Sequence, residues 1–185
     1  MLNGHTQNLI FTGEHRDKRN GLIIPAHEHR RINLSNEYIR GLVDGEGCFS
    51  FSTTTSTYMG KVFKRNVPAF IIQMHVRDRC LIEAVAKHLG LKNEVYMYPP
   101  YPNHKDSFNR GWSARLIVRE FISLRDIIIP FFHNKLKGHK GEQFMVWLEK
   151  IGSDPNISDK FKSLYQLYKS GAYDADPRFT EKFRD

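Results

Sequence analysis

The sequence predicts an α+β domain built in the order αββαββ and closed by further helices. The hydrophobic period switches twice from helical to alternating along the chain, and Gly or Pro marks the switches. Hydrophobic residues make up 40% of the 185, which is ample for a core. No apolar run nears the ~20 residues needed to span a membrane. The chain divides into an N-terminal arm over 1–35, a core over 36–152 and a C-terminal extension over 153–185 that carries one helix.

The first helix is predicted from Ser35 as N-cap, Glu37 in the first turn and Leu34 placed to staple onto Ile39, and it stops at Gly47. Gly41 and Gly45 lie one turn apart on one face. A glycine inside a helix costs about 1 kcal/mol against alanine, so this pair points to close approach of another backbone. In the following strand, Phe49 and Phe51 alternate with Ser50, Ser52, Thr54 and Ser56, giving one core face and one wet face. A turn over Tyr58–Arg65 carries Lys61, Lys64 and Arg65, and Pro68 opens a second strand, Ala69–Val76. Phe70, Ile72 and Met74 continue the core face there, leaving Gln73 and His75 on the other.

Asp78 is expected to cap a helix running to Leu89, with Leu81, Val85 and Leu89 at four-residue spacing and Gly90 as its stop. A second hairpin follows. Val95 and Met97 alternate with Tyr96 and Tyr98; after a turn over Pro99–Gly111, Trp112, Ala114, Leu116 and Val118 alternate with Ser113 and Arg115. A helix from Glu120 to Ile129 ends at Pro130, a basic loop spans Lys135–Lys140, and a helix from Glu142 to Ile151 closes the core. The last helix, Ser158–Lys169, presents Phe161, Leu164, Tyr165 and Tyr168 as the face that packs on the core.

Lys and Arg number 28 against 20 Asp and Glu, a formal charge of +8 that attracts a phosphate backbone. Strands that expose Ser, Thr, Gln and Arg suit the DNA major groove, which admits a two-stranded ribbon. Gln73 and Arg115 have the geometry for bidentate contacts to adenine and guanine, whereas Lys61, Lys64 and Arg65 match phosphates. Arg16, Lys18, Arg19, Arg30 and Arg31 form a possible basic arm along DNA. Two cysteines, Cys48 and Cys80, without zinc-site spacing fit a reducing compartment, and the first residues lack the apolar segment of a secretory signal. The expected location is intracellular, in a bacterial cytoplasm or an organelle.

Residues 39–47, Ile39-Arg40-Gly41-Leu42-Val43-Asp44-Gly45-Glu46-Gly47, resemble the signature of the LAGLIDADG homing endonucleases. Both acids, the two helix-face small residues and the terminal glycine are kept; Ile39 and Arg40 depart from the pattern, with Arg40 off the glycine face. The resemblance covers roughly residues 36–151 and implies a four-stranded antiparallel saddle laid in the major groove of double-stranded DNA. Its contact residues would be Ser50, Ser52, Thr54, Ser56, Lys61, Lys64, Arg65, Gln73, His75, Tyr96, Tyr98, Ser113 and Arg115. It further implies that Glu46, with the Gly45 carbonyl, holds a divalent metal, while Asp44 is structural and holds the helix end.

Only one motif is present, so the implied assembly is a two-fold homodimer in which Tyr38, Gly41, Leu42 and Gly45 meet their copies. Such a dimer would read a long pseudo-palindromic site and hydrolyse one phosphodiester in each strand. Mg²⁺ is the expected ion, with Mn²⁺ substituting and Ca²⁺ supporting binding without cleavage. The assisting lysine implied by the family is Lys137 or Lys140, with Lys140 preferred. The water-positioning place falls at Val76, with Gln73 and His75 as the nearest polar groups. Two other classes compete: a non-catalytic relative acting as an intron RNA splicing cofactor or a DNA-binding regulator, and a basic scaffold protein. The intact acid at Glu46 favours an intron-encoded nuclease, and nothing in the sequence supports RNA binding.

Overall fold

Ser35 begins the first helix as the sequence predicts. In the computed structural model, which describes residues 15–16, 23–24, 32–100 and 111–183, its hydroxyl accepts the Tyr38 N–H at 3.1 Å and starts α1, Asn36–Glu46. Ile39, Arg40 and Val43 form the buried side of α1. Arg40 stays off the glycine face by turning inward: its Nε–H donates to the Phe131 carbonyl at 3.3 Å and its guanidinium lies 4.9 Å from the Phe131 ring centroid. Gly47 ends the helix because nothing larger fits. A Cβ there would stand 2.7 Å from the Val43 carbonyl oxygen.

The chain then enters a long hairpin, β1 (Gly47–Tyr58) and β2 (Lys61–His75). Its turn is the two residues Met59 and Gly60, both with positive φ (48° and 73°), the geometry whose twist matches the flanking strands. The expected turn over Tyr58–Arg65 is therefore corrected: Lys61, Lys64 and Arg65 lie within β2, which begins eight residues before Ala69. Both faces of this outer stretch are wet. The apolar–polar alternation that reveals a strand from sequence is missing there, and the ladder with β1 defines it instead. Pro68 falls where β2 is paired with β1 alone, a position that tolerates a missing N–H.

Asp78 makes no capping hydrogen bond from its side chain. A 3₁₀ turn, Val76–Asp78, comes first, and the His75 Nδ1 accepts the Arg77 N–H at its start. Helix α2, Arg79–Leu89, buries Ile82, Val85, Ala86 and Leu89, with Leu81 only half-buried, and ends at Gly90 with φ 71°. Strands β3 (Val95–Tyr98) and β4 (Ser113–Val118) alternate as expected, with Met97, Ala114, Leu116 and Val118 buried. Most of the connection between them lies outside the described residues. The sheet is antiparallel throughout, in the order β1-β2-β4-β3.

Pro130 does not stop the next helix. Turns Phe121–Ser123 and Ile129–Phe132 flank a π-helical segment, Leu124–Ile128, and the three run on as α3. The Ile129 N–H reaches five residues back to the Leu124 carbonyl, and Pro130, which has no N–H to donate, follows directly after it. The Lys182 ammonium donates to the Asp126 carbonyl in this segment at 3.2 Å. The final core helix is also longer than expected: α4 spans His139–Ser153 and starts at Gly138, which supplies no side-chain cap to signal it. Lys140 thus sits in the first turn of α4, not in the loop.

Helices α5 (Asp159–Lys169), α6 (Ala172–Ala175) and α7 (Pro177–Thr180) follow, bringing Leu164, Tyr173 and Phe179 into the same core. Behind the sheet Phe49 meets Phe70, Phe132, Phe144 and Trp147 at centroid distances of 4.8–5.7 Å. The Trp147 indole donates to the Ser50 carbonyl at 2.8 Å, pinning α4 to β1. No described helix is long and apolar enough to cross a membrane. In the N-terminal unit, His15–Arg16 and Ile23–Ile24 pair as a short antiparallel ribbon. The remaining arginines and lysines of the basic arm lie outside the described residues.

Candidate nucleic-acid interface and metal-binding turn

Strand register decides which side chains share the face of the sheet opposite the helices. Directly paired residues of antiparallel strands point the same way. Gln73, Arg115 and Tyr96 therefore form one row across β2, β4 and β3, and His75, Ser113 and Tyr98 form the next. Along the hairpin the same face carries Ser50, Ser52, Thr54 and Ser56 from β1, opposite Ala69, Val67, Arg65 and Phe63 of β2. Lys61, opposite Tyr58, completes it. Lys64 pairs with Thr55 and lies on the reverse side, so the three expected tip cations divide two to one between the faces.

None of the four strands contains an Asp or a Glu. The carboxylates held below their usual range lie on the helical side and in the C-terminal segment. Asp126 is held there by hydrogen bonds from Arg125, Glu149 by the Tyr165 hydroxyl, Asp154 by the Asn66 amide and Asp176 by Arg178, while at Glu120, before α3, burial pushes upward and the Asn93 amide and backbone N–H groups outweigh it. This separation leaves the sheet face attractive to an anionic polymer.

Arg115 is pre-positioned in a way the sequence did not reveal. Its guanidinium stacks 4.4 Å from the Tyr98 ring centroid, diagonally across the β3–β4 pair, and its Nε is buried without a hydrogen-bond partner among the described residues. The other guanidinium nitrogens remain to form a fork toward a ligand. Tyr58, Met59, Val62 and Phe63 at the hairpin tip are 67%, 84%, 63% and 45% exposed. They fall in the stretch expected to be a turn, where no apolar–polar alternation marks a face.

The last turn of α1 meets the sheet at its edge. Gly47 pairs with Ile72; Glu46 precedes Gly47 as the last residue of α1, and Gln73 follows Ile72 in β2. Gln73 is thus the first saddle-face residue of β2 past this pair. Val76 has already left the strand for the 3₁₀ turn, where its N–H donates to the Trp112 carbonyl. Glu46 is exposed, and a Cβ built on Gly41 or Gly45 meets nothing within 4 Å. Tyr38 is exposed and Leu42 half-buried beside them.

Asp44 points elsewhere. Its carboxylate accepts the Lys137 N–H at 3.2 Å and the Gly138 N–H at 3.4 Å, so it tethers the basic loop to α1 rather than holding its own helix end. Of the two candidate lysines, Lys137 is carried by this tether and exposed, whereas the Lys140 ammonium donates to Gln143 Oε1 at 2.8 Å.

Nowhere among the described residues do three His, Cys, Asp or Glu side chains converge. The donors that α1 offers are the Glu46 carboxylate and the main-chain carbonyls after Val43, whose own carbonyl takes the Gly47 N–H; those that follow have no intrahelical partner. All are hard oxygens, the set that Mg²⁺ and Ca²⁺ take. They fit part of a coordination sphere, completed from outside the chain.

The fold and this face define a basic α+β protein whose open antiparallel sheet suits a nucleic acid. The family model described as LAGLIDADG endonuclease matches residues 39–151, more than half of the chain, and the chain belongs to that family. No curated protein matches it. Among solved structures, meganuclease I-SmaMI bound to uncleaveable DNA with a TTGT central four is 25% identical, with a TM-score of 0.52 over 80% of this chain and 46% of that one. I-CpaMI bound to uncleaved DNA is 22% identical, with a TM-score of 0.51 over 85% of this chain and 45% of that one. I-SmaMI bound to an uncleaved DNA target in the presence of calcium ions is 22% identical, with a TM-score of 0.51 over 80% and 49%. This chain spans about half the length of these structures, and they share its fold.

Proposed function

We propose that the chain is a DNA endonuclease that works as a two-fold homodimer, cutting one phosphodiester in each strand of a long site with a divalent cation. The observation that carries this reading is the open Gly41–Gly45 face of α1, which ends in an exposed carboxylate at the margin of an acid-free sheet. Two such helices meeting through their glycines bring two Glu46 carboxylates to one axis, where each copy supplies what the other lacks.

The family membership and the DNA-bound neighbours support the substrate, and the neighbour with calcium supports a divalent ion. A bound Mg²⁺ would supply an activated water and stabilise the leaving oxygen. Within the chain, Glu46 and the Gly45 carbonyl would hold that ion. Gln73, the first saddle-face residue past the Gly47–Ile72 pair, would orient the attacking water through its amide, and Lys137 would offset charge developing on the phosphate. The strand face sets register along the groove. From Gly47 to Tyr58 is about 36 Å at 3.3 Å per residue, or roughly ten base pairs at 3.4 Å each. Two copies would thus cover a site of about twenty base pairs.

The test is cleavage of a randomised library of duplex sites by the purified chain with Mg²⁺, with Ca²⁺ and with chelator, paired with sedimentation on and off DNA. Double-strand cuts at a recurring, two-fold-related site in Mg²⁺ alone are expected. Binding without any cutting in Mg²⁺ or Mn²⁺ would overturn the enzymatic reading, and a monomer on the cleaved site would overturn the dimer.

A further inference from the structure

Tyr58, Met59, Val62 and Phe63 place four large apolar side chains at the end of a ribbon that has outrun its core, each 45% exposed or more. Single exposed apolar residues are ordinary, but Tyr58 and Phe63, which share the saddle face of the projecting hairpin while Val62 lies on the reverse, mark a contact surface there. Its charge identifies the partner. On the saddle side, β2 alternates Lys61, Phe63 and Arg65, with Tyr58, Ser56 and Thr54 directly opposite on β1. An aromatic flanked on one face by two cations, with no acid anywhere in the hairpin, complements an anionic surface that also has apolar points.

The DNA major groove is such a surface. Its walls are phosphates, and its one apolar feature is the C5-methyl group of thymine. We propose that Phe63, with Tyr58 beside it, reads thymine methyl groups in the outer part of each half-site, while Lys61 and Arg65 hold the flanking phosphates. The ribbon's length gives the place. Phe63 pairs with Ser56, nine rungs from Gly47, so it reaches about 30 Å from the catalytic turn, or roughly nine base pairs. Rows near the catalytic end read bases by hydrogen bonding through Gln73 and Arg115; the tip reads by shape and methyl contact.

The inference rests on the proposed DNA-binding function and is tested with the full chain on the site recovered from the cleavage library. Each thymidine in the outer part of the half-sites is replaced singly by deoxyuridine, which removes the methyl and keeps every hydrogen-bonding group. Library selection should enrich thymine at one or more positions about eight to ten base pairs from the centre. Uracil there should weaken wild-type binding roughly fourfold, the factor carried by burial of one methyl group. Phe63→Ala should be blind to that replacement, Phe63→Leu should retain part of the sensitivity, and both should respond like the wild type to changes opposite Gln73 and Arg115.

Phe63 lies beyond the core, and an unchanged thermal unfolding curve for Phe63→Ala would confirm that the variant folds. Specific binding with no outer methyl dependence, or the same dependence in Phe63→Ala, overturns this inference and leaves the nuclease reading standing. So does a Phe63→Ala variant whose change is in self-association, which would make the tip a protein contact. Absence of any site-specific binding by the wild type overturns both.

Discussion

Replacing Gly41 by leucine should move folding and assembly in opposite directions. Within one copy the change is favourable: a Cβ at Gly41 meets nothing within 4 Å, and relief of the mid-helix glycine is worth about 0.8 kcal/mol. For a compact unit of this size that raises the unfolding midpoint by about 2–3 °C. Between copies the change is unfavourable, because overpacking a close contact costs about 1–3 kcal/mol and a two-fold axis counts it twice. The dimer should weaken by about 2–6 kcal/mol, at least roughly 30-fold in dissociation constant. Sedimentation over a concentration series gives the second quantity. Thermal unfolding at a concentration where the wild type is already monomeric gives the first. A Gly41→Leu protein that dimerises like the wild type would show that the glycine face is not the interface, and a destabilised monomer would show that the face is already covered within the chain.

The two acids of the motif should separate cleanly. Glu46→Gln keeps shape and removes charge, so cleavage in Mg²⁺ should fall by orders of magnitude while gel-shift affinity in Ca²⁺ and thermal stability stay unchanged. Asp44→Ala, which strips the loop of acceptors at 3.2 and 3.4 Å, should lower stability by about 1–2 kcal/mol in denaturant unfolding and reduce cleavage through a displaced Lys137; equal stability would remove the tether. Tyr98→Phe should preserve the preference that Arg115 confers, because the stack survives without the hydroxyl. Tyr98→Ala should lose that preference at the same base pair as Arg115→Ala, and additive losses in the double variant would refute the coupling. Asp126, held below the usual carboxylate range by the Arg125 fork at 2.6 and 2.8 Å, contributes stability above its unfolded value of about 3.9 and loses it as pH falls through the lower folded value. Asp126→Asn should therefore flatten the acid side of a urea-unfolding profile below pH 4 and leave its shape between pH 5 and 8 unchanged.

Local signals in the sequence determined the elements that touch the core. Phe49 and Phe51, Phe70 to Met74 and Ala114 to Val118 read as strands because one face of each is dry, and Ser35 and Gly47 bound the first helix by side-chain chemistry that needs no tertiary context. The motif singled out Glu46 and the glycine face for the same reason, since a helix carries its own period. Other features became visible only on folding. The outer hairpin shows no alternation because neither side is buried, α3 passes Pro130 through a π-helical segment that no local signal marks, and α4 starts at a glycine with no side chain to announce it. The site's finer order was hidden in the same way: Gln73 in one row with Arg115 and Tyr96, Asp44 under the basic loop and Tyr98 beside Arg115. Each is a pairing between segments far apart in the chain. Periodicity reports only whether a residue faces core or water, whereas cross-strand register and the hydrogen bonds of buried loops decide which of the water-facing residues stand side by side.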